Sequence, residues 1–204
     1  MKNRIILSVV VIVIGLAGIA AFAYFSSQHK VSVSFSKEVT GATIFTEKGD
    51  EVKKLSSAGD VSLQNGDYYV VPDGQKVSKE KIEFSIKDKD QTLSLDPDYS
   101  IEYLATTYVN EQPAITNAAT TAFPLITQGY DMTGGTLYHY GEWFGAIVVP
   151  KVSDPRDQPD YYRILLHKQN NTWKVVNSPV FVLTKSEFKD VPASVLQAVN
   201  QLTQ

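Results

Sequence analysis

Residues 31–36 read VSVSFS, an unbroken alternation of apolar and polar side chains. This period places Val31, Val33 and Phe35 on one face of a β-strand and the serines on the other. Residues 61–63, 82–86 and 93–95 repeat the alternation, and turn signals rich in glycine, asparagine and aspartate separate the repeats. Short alternating strands at this spacing predict a small antiparallel β-sandwich over residues 31–97.

The pattern changes to helical spacing after Pro97. One apolar stripe spans residues 101–109 and is typical of an amphipathic helix, which Asp98 or Ser100 could cap. A second stripe spans residues 115–123, with Pro113 suited to a first helical turn. The first stripe consists of Ile101, Leu104, Ala105, Tyr108 and Val109.

Strand patterns dominate the rest of the chain, at residues 136–140, 143–150, 161–168 and 172–176, with an edge strand at 180–183. A closing helix is expected near Pro192. Helices followed by antiparallel strands indicate an α+β domain over residues 98–204, with helices packed on a curved antiparallel sheet.

The Gly41-Ala42 step and residues 63–69 (LQNGDYY) resemble the surface domains called PEGA-like, although the namesake Pro-Glu-Gly-Ala run is missing. The resemblance covers about 65 residues and implies a spacer or binding module without catalytic residues. The layout of residues 98–204 is similar to that of NTF2-like or cystatin-like domains, a likeness that carries no functional residues. Residues 141–143, 172–176 and 190–192 also resemble uncharacterised membrane-anchored surface proteins of small-genome bacteria, which implies an address rather than a reaction.

An uncharged apolar run of 21 residues extends from Ile5 to Phe25. At about 1.5 Å per residue a helix of this length matches a hydrocarbon core of about 30 Å. Lys2 and Arg4 precede the run and place the N-terminus in the cytoplasm. We therefore expect residues 1–30 to form a membrane anchor and juxtamembrane stretch, with the remainder outside the cytoplasm. The alternative is a cleaved signal peptide and secretion, because residues 21–23 (AFA) fit the small-x-small cleavage pattern.

Composition excludes several classes of function. The chain has no cysteine, so a thiol nucleophile, a disulfide framework and a Cys-ligated metal site are impossible. The net charge is −3 and the basic residues form no cluster, which argues against a nucleic-acid partner. The sequence predicts no cofactor. An acidic stretch at residues 154–160 lacks the alternating acids and the glycine of a calcium loop, so no metal site is predicted.

The densest cluster of aromatic and titratable residues lies at the end of one predicted strand, and it could line a sugar or peptide pocket on a concave sheet. The competing interpretation is that these side chains fill a core, since alternation puts Leu137 and His139 on one face and Tyr138 and Tyr140 on the other. The candidate ligand-binding residues are Tyr138, His139, Tyr140, Glu142 and Trp143.

These patterns favour a non-catalytic binding or interaction module of the cell envelope, with the lipid bilayer and an unknown protein or envelope glycan as partners. The alternative is a cell-envelope hydrolase of glycan or peptide, with Glu142, His139 or an acid from residues 154–160 transferring the proton. A third hypothesis is structural, with the first module as a spacer and the second as an oligomerisation domain. No catalytic motif of known spacing is present.

Overall fold

A computed structural model describes residues 28–151 and 160–203 of the chain. These fall into two compact units that divide between Pro97 and Asp98. The run from Ile5 to Phe25, on which the expected anchor rests, lies outside the described residues. Within residues 28–151 and 160–203, no helix combines the length and the apolar character that crossing a membrane requires.

Seven short strands build the first unit, and they form two sheets. The three-stranded sheet has the order β4-β1-β7 and the four-stranded sheet the order β3-β2-β5-β6. The strands are β1 (Gln28–Phe35), β2 (Gly41–Thr46), β3 (Glu51–Leu55), β4 (Gly59–Gln64), β5 (Gly66–Asp73), β6 (Ile82–Ile86) and β7 (Gln91–Leu95).

The core of the first unit lies on the apolar face that the alternation predicts. Val31 and Val33 of β1 are buried, and every other strand also contributes at least one residue to the same cluster. The expectation of a purely antiparallel arrangement is wrong at one pair, because β1 and β7 run parallel. Alternation specifies which face of a strand is buried, and it contains no information about the direction of the neighbouring strand.

The second unit has one four-stranded antiparallel sheet in the order β11-β10-β9-β8. It is therefore an α+β unit, as the sequence predicts. Its elements are α1 (Ile101–Ala122), α2 (Ile126–Gly129), β8 (Tyr130–Tyr138), β9 (Trp143–Pro150), β10 (Tyr162–Gln169), β11 (Thr172–Val175) and α3 (Ala193–Asn200).

Both faces of this sheet are covered. Helix α1 packs on one face through Leu104, Ile115 and Ala119. Helix α3 and the segment before it cover the other face, where Trp143 and Leu165 are buried. Because both faces of β9 are buried, its six residues from Trp143 to Val148 form a continuous buried run.

Helix α1 corrects two expectations. The two predicted helices are one helix of 22 residues with Pro113 inside it. Proline removes one backbone hydrogen bond, but Pro113 is exposed, so water can bond to the carbonyl that is left without a donor. Three of the five residues in the first apolar stripe point away from the sheet, because Ile101 and Val109 are 80% and 67% exposed and Ala105 is also exposed. Ser100 caps the helix by accepting a hydrogen bond from the Tyr103 N–H.

Two smaller differences concern strands. Strand β8 begins at Tyr130 rather than at residue 136, with a register shift between Thr133 and Thr136. The expected edge strand at residues 180–183 is a single bridge between Val180 and Arg163. The closing helix begins after Pro192, as predicted.

Candidate functional site

The turn between β8 and β9 holds the aromatic cluster that the sequence singles out. His139 and Tyr140 both have positive φ angles, 46° and 59°. This left-handed backbone is costly for residues with a side chain. It is stabilised by Asp98, whose carboxylate accepts hydrogen bonds from the N–H groups of His139 at 2.9 Å and Tyr140 at 2.6 Å. Two successive N–H groups that converge on one carboxylate form an anion-binding concavity, which the chain fills with its own side chain.

Tyr138 and Trp143 lie on the face of the sheet that α3 covers. Trp143 is buried, and its ring stacks on His167 with centroids 3.9 Å apart. Tyr138 is partly buried against the same cluster, and this burial raises the pKa of its hydroxyl to about 12. Both side chains therefore serve as packing for α3.

The other three candidates lie elsewhere. Tyr140 packs edge-on against Tyr99, on the side of the sheet that α1 covers. The His139 ring contacts Tyr140, and Glu142 is exposed. The structure thus brings together Tyr138 with Trp143 and His139 with Tyr140, and it separates the two pairs. Their role as ligand-binding residues stays a prediction.

The acidic stretch at residues 154–160 falls almost wholly outside the described residues, and only Asp160 is included, on the surface. In the part of the chain that the structure describes, no three His, Asp or Glu side chains are arranged to hold a metal ion.

An apolar cleft of about 330 Å³ opens at the opposite end of β8 and β9 from the aromatic turn. Strands β8, β9 and β10 form its floor through Tyr130, Val148 and Tyr162. Tyr162 pairs with Val148 in the sheet register, and Tyr130 lies opposite Pro150, two residues further along β9. Its remaining walls are the segment that follows α1 and the loop after β11. We define the apolar cleft by its lining, Phe123, Leu125, Ile126, Tyr130, Val148, Tyr162 and Pro179.

The apolar cleft exposes groups that a soluble surface normally buries. Leu125 is 68% exposed and Tyr130 is 37% exposed. The Tyr130 ring meets the Tyr162 ring edge-on at 6.5 Å, and Tyr162 in turn packs against Phe181, itself 52% exposed, at 4.7 Å. No side chain of the lining carries a charge at neutral pH. Such a surface suits an uncharged, apolar or aromatic ligand group, with the two tyrosine hydroxyls available as hydrogen-bonding groups.

This cleft cannot be recognised from local sequence patterns, because four separate segments of the chain line it. One local signal was available: Pro124 breaks the helical pattern, and the apolar Leu125 and Ile126 follow immediately. Apolar side chains that follow a helix-ending proline cannot belong to the apolar face of that helix. They therefore indicate either a contact with the core or an exposed apolar patch.

Comparisons with known proteins give only distant likenesses. No protein-family model and no curated protein matches the chain. Among solved structures, the Bacillus anthracis TIE protein is similar over 36% of this chain and 16% of its own length, with 19% identity and a TM-score of 0.29. A DUF3823 family protein from Bacteroides ovatus is similar over 76% of this chain and 98% of its own, with 10% identity and a TM-score of 0.24. TM-scores this low support no conclusion about fold or function.

Proposed function

We propose that this chain is a single-pass, membrane-anchored, extracytoplasmic protein that binds a partner in the cell envelope without catalysis. The observation that carries the binding role is the apolar cleft, an open concavity with an uncharged, aromatic lining. Binding sites are typically concave and mostly apolar, with a few polar groups that orient the ligand. The apolar run from Ile5 to Phe25, preceded by two basic residues, supports the membrane-anchored, extracytoplasmic location.

The finer fold assignment belongs to the same proposal. Seven short strands in two sheets around one core support a PEGA-like sandwich as the spacer between membrane and ligand. A long helix laid on a four-stranded antiparallel sheet supports the NTF2-like or cystatin-like layout of the second unit. The ligand binds at the end of the sheet that helix α1 leaves uncovered, where the helix ends at Ala122 and the lining of the apolar cleft begins at Phe123.

The proposed membrane location is tested by fractionating cells that express the full chain. We expect the protein in the membrane pellet after alkaline carbonate extraction, and we expect protease added outside intact spheroplasts to digest the region after residue 26. Recovery of the uncleaved chain from the cytosol would overturn the anchored arrangement. Recovery of a shortened chain from the medium would instead identify a cleaved signal peptide.

The binding role is tested by site-specific photo-crosslinking in the native envelope. The photoreactive residue benzoylphenylalanine replaces Leu125 in the apolar cleft in one variant and Val109 on helix α1 in the matched control. The two positions are equally exposed, at 68% and 67%, so random collision labels both alike. We expect a discrete adduct only from position 125. Equal labelling at both positions, or none at position 125, would count against the cleft as the binding site.

A further inference from the structure

Strand β11 forms one edge of the second unit's sheet, and in the described part of the chain no backbone hydrogen bond reaches its outer side. Its only strand neighbour among the described residues is β10. The Val176 N–H donates to the Leu165 carbonyl at 2.8 Å, so the residue before it, Val175, directs its backbone groups away from β10. The same alternation turns the N–H and C=O of Trp173 outward. Two residues thus offer four unsatisfied hydrogen-bonding groups in a row.

A groove of about 500 Å³ runs along this edge, between β11 and the second half of helix α1. On the helix side, a row of small side chains lines the groove. Ala114, Ala118 and Ala122 recur every four residues and so lie in one line along the helix. Asn117 and Thr121 stand beside them as polar groups. An extended chain has a width of about 4.8 Å between strand axes, and small side chains on the helix leave room for its inward-facing residues.

The positive charge of Lys174, next to the groove, indicates what kind of segment would pair with β11. Lys174 also lines the groove, but Trp173 and Val175 pack on the side of helix α1, and the alternation of a strand directs the exposed Lys174 side chain towards the opposite face of the sheet. Within the described parts of the chain, no carboxylate forms an ion pair with Lys174. Opposite charges on directly neighbouring strands attract, whereas like charges repel. Pairing between two copies of β11 would bring two lysines to the same face, so a second copy of the chain is disfavoured.

We propose that β11 accepts an extended peptide segment of a partner protein as a fifth strand of the sheet. The segment has small or β-branched apolar residues on the side that faces the alanines of helix α1, and an acidic residue on the side of Lys174. Main-chain hydrogen bonds to Trp173 and Val175 supply the attachment, and the alternating side chains supply the selectivity. This site is separate from the apolar cleft and does not depend on the proposed membrane address.

The test measures amide hydrogen exchange by NMR on the full chain in detergent micelles. The probe is the peptide Ac-Val-Glu-Val-Glu-Val-amide, and the matched control is Ac-Val-Lys-Val-Lys-Val-amide. We expect the acidic peptide to slow exchange of the Trp173 and Val175 amides at least about tenfold, as burial in a hydrogen-bonded ladder does. The Lys174 amide already bonds within the hairpin and should change little.

A charge exchange separates the proposed geometry from unspecific adhesion. The acidic peptide should bind about two to five times tighter than the basic one, the range for an opposite-charge pair on neighbouring strands. The exposed substitution Lys174→Glu should reverse that preference. Four outcomes would overturn the proposal: no protection with the acidic peptide, protection only along the other edge strand β8, an unchanged preference in Lys174→Glu, or protection that rises with protein concentration without peptide, which would identify a second copy as the occupant.

Discussion

The carboxylate of Asp98 holds the backbone of Tyr140, 42 residues further along the chain, through a hydrogen bond of 2.6 Å from the Tyr140 N–H. The other carboxylate oxygen accepts the N–H of His139. One side chain at the start of the second unit therefore fixes a turn whose left-handed backbone would otherwise be strained.

Replacing Asp98 with alanine should lower the free energy of unfolding by about 2 kcal/mol, because hydrogen bonds to a charged acceptor contribute about 1.5–3 kcal/mol. Asp98→Asn keeps an acceptor oxygen and should lose less. Urea denaturation followed by tryptophan fluorescence measures the effect in the second unit alone, since both tryptophans, Trp143 and Trp173, belong to it. An equal loss of stability in Asp98→Ala and Asp98→Asn would show that the hydrogen bonds accepted by the Asp98 side chain are not the cause of the loss.

Gly145 allows helix α3 to approach the sheet closely. A Cβ atom at this position would lie 2.2 Å from a methyl group of Val199. We expect Gly145→Ala to destabilise the second unit by about 1–3 kcal/mol, as overpacking of a core does. Gly129→Ala is the matched control, because a Cβ there meets nothing within 4 Å.

The same clash can be checked by compensation. Adding Val199→Ala to Gly145→Ala removes the obstructing methyl groups, so the double variant should be more stable than the sum of the two single losses predicts. Strict additivity would mean that the alanine at position 145 acts in some way other than by pushing α3 away.

Glu111 on helix α1 joins the helix to the β10–β11 hairpin. Its carboxylate accepts hydrogen bonds from Lys168 at 2.6 Å and from the Trp173 indole at 2.7 Å. The bond from Lys168, aided by that from Trp173, holds the pKa of Glu111 below its ordinary value of 4.5, against the opposing effect of burial.

A carboxyl group whose pKa is lower in the folded state stabilises the fold above its ordinary pKa and loses that contribution as the pH falls through the folded value. The free energy of unfolding should therefore be steady from neutral pH to about pH 5 and then fall, and Glu111→Gln should weaken this fall. Glu187→Gln, at an exposed glutamate outside the cluster, serves as the control. Unfolding followed by tryptophan fluorescence over a pH series measures the free energy of unfolding of both variants. The same decrease below pH 5 in wild type and in Glu111→Gln would refute the contribution of Glu111.

Arg163 is a buried cation that bonds to carbonyl oxygens at the end of helix α3. It donates to the Val199 carbonyl at 3.0 Å and to the Asn200 carbonyl at 2.7 Å, and it also donates to the carbonyl of Phe181. The Val199 and Asn200 oxygens lie in the last turn of α3, where backbone N–H donors of the helix run out, and a positive charge at a helix C-terminus is favourable.

Arg163→Lys should cost about 2 kcal/mol although the charge is kept, because one ammonium cannot reach several carbonyls in the fork geometry of a guanidinium, and unsatisfied buried groups cost about 1–3 kcal/mol. Lys174→Arg, a swap of the same two residue types at an exposed position, should leave stability within about 0.5 kcal/mol. Thermal unfolding of both variants tests the comparison, and a neutral Arg163→Lys would contradict the capping role.

Local patterns were sufficient for the fold wherever a single face decides burial. Val31 and Val33 alternate into the core as predicted, and β9 has the predicted bounds. The predictions failed where burial depends on a partner that the pattern does not identify. The apolar spacing on α1 contains two candidate faces, and packing on the sheet selected Leu104 over Ile101. Parallel pairing of β1 with β7 likewise depends on the path of the whole unit.

The site was harder to predict than the fold for a physical reason. Tyr138 and Tyr140 belong to one short motif, but the strand ends at Tyr138 and the turn that follows sends Tyr140 to the other face of the sheet. Conversely, Leu125 and Tyr162 are far apart in sequence and line the same cleft. Residue types that suit a ligand also suit a core, so only the three-dimensional position distinguishes the two roles.

Because β9 is sandwiched between two apolar layers, the second unit cannot be shortened at its C-terminal side without harm. A nascent chain that ends before Ala193 retains the whole sheet but lacks Val195, Leu196 and Val199, the part of the cover over Trp143 and Leu165 that α3 supplies. The apolar surface is then exposed, so translation products that stop in this region should aggregate or be degraded by proteases even though every strand is present.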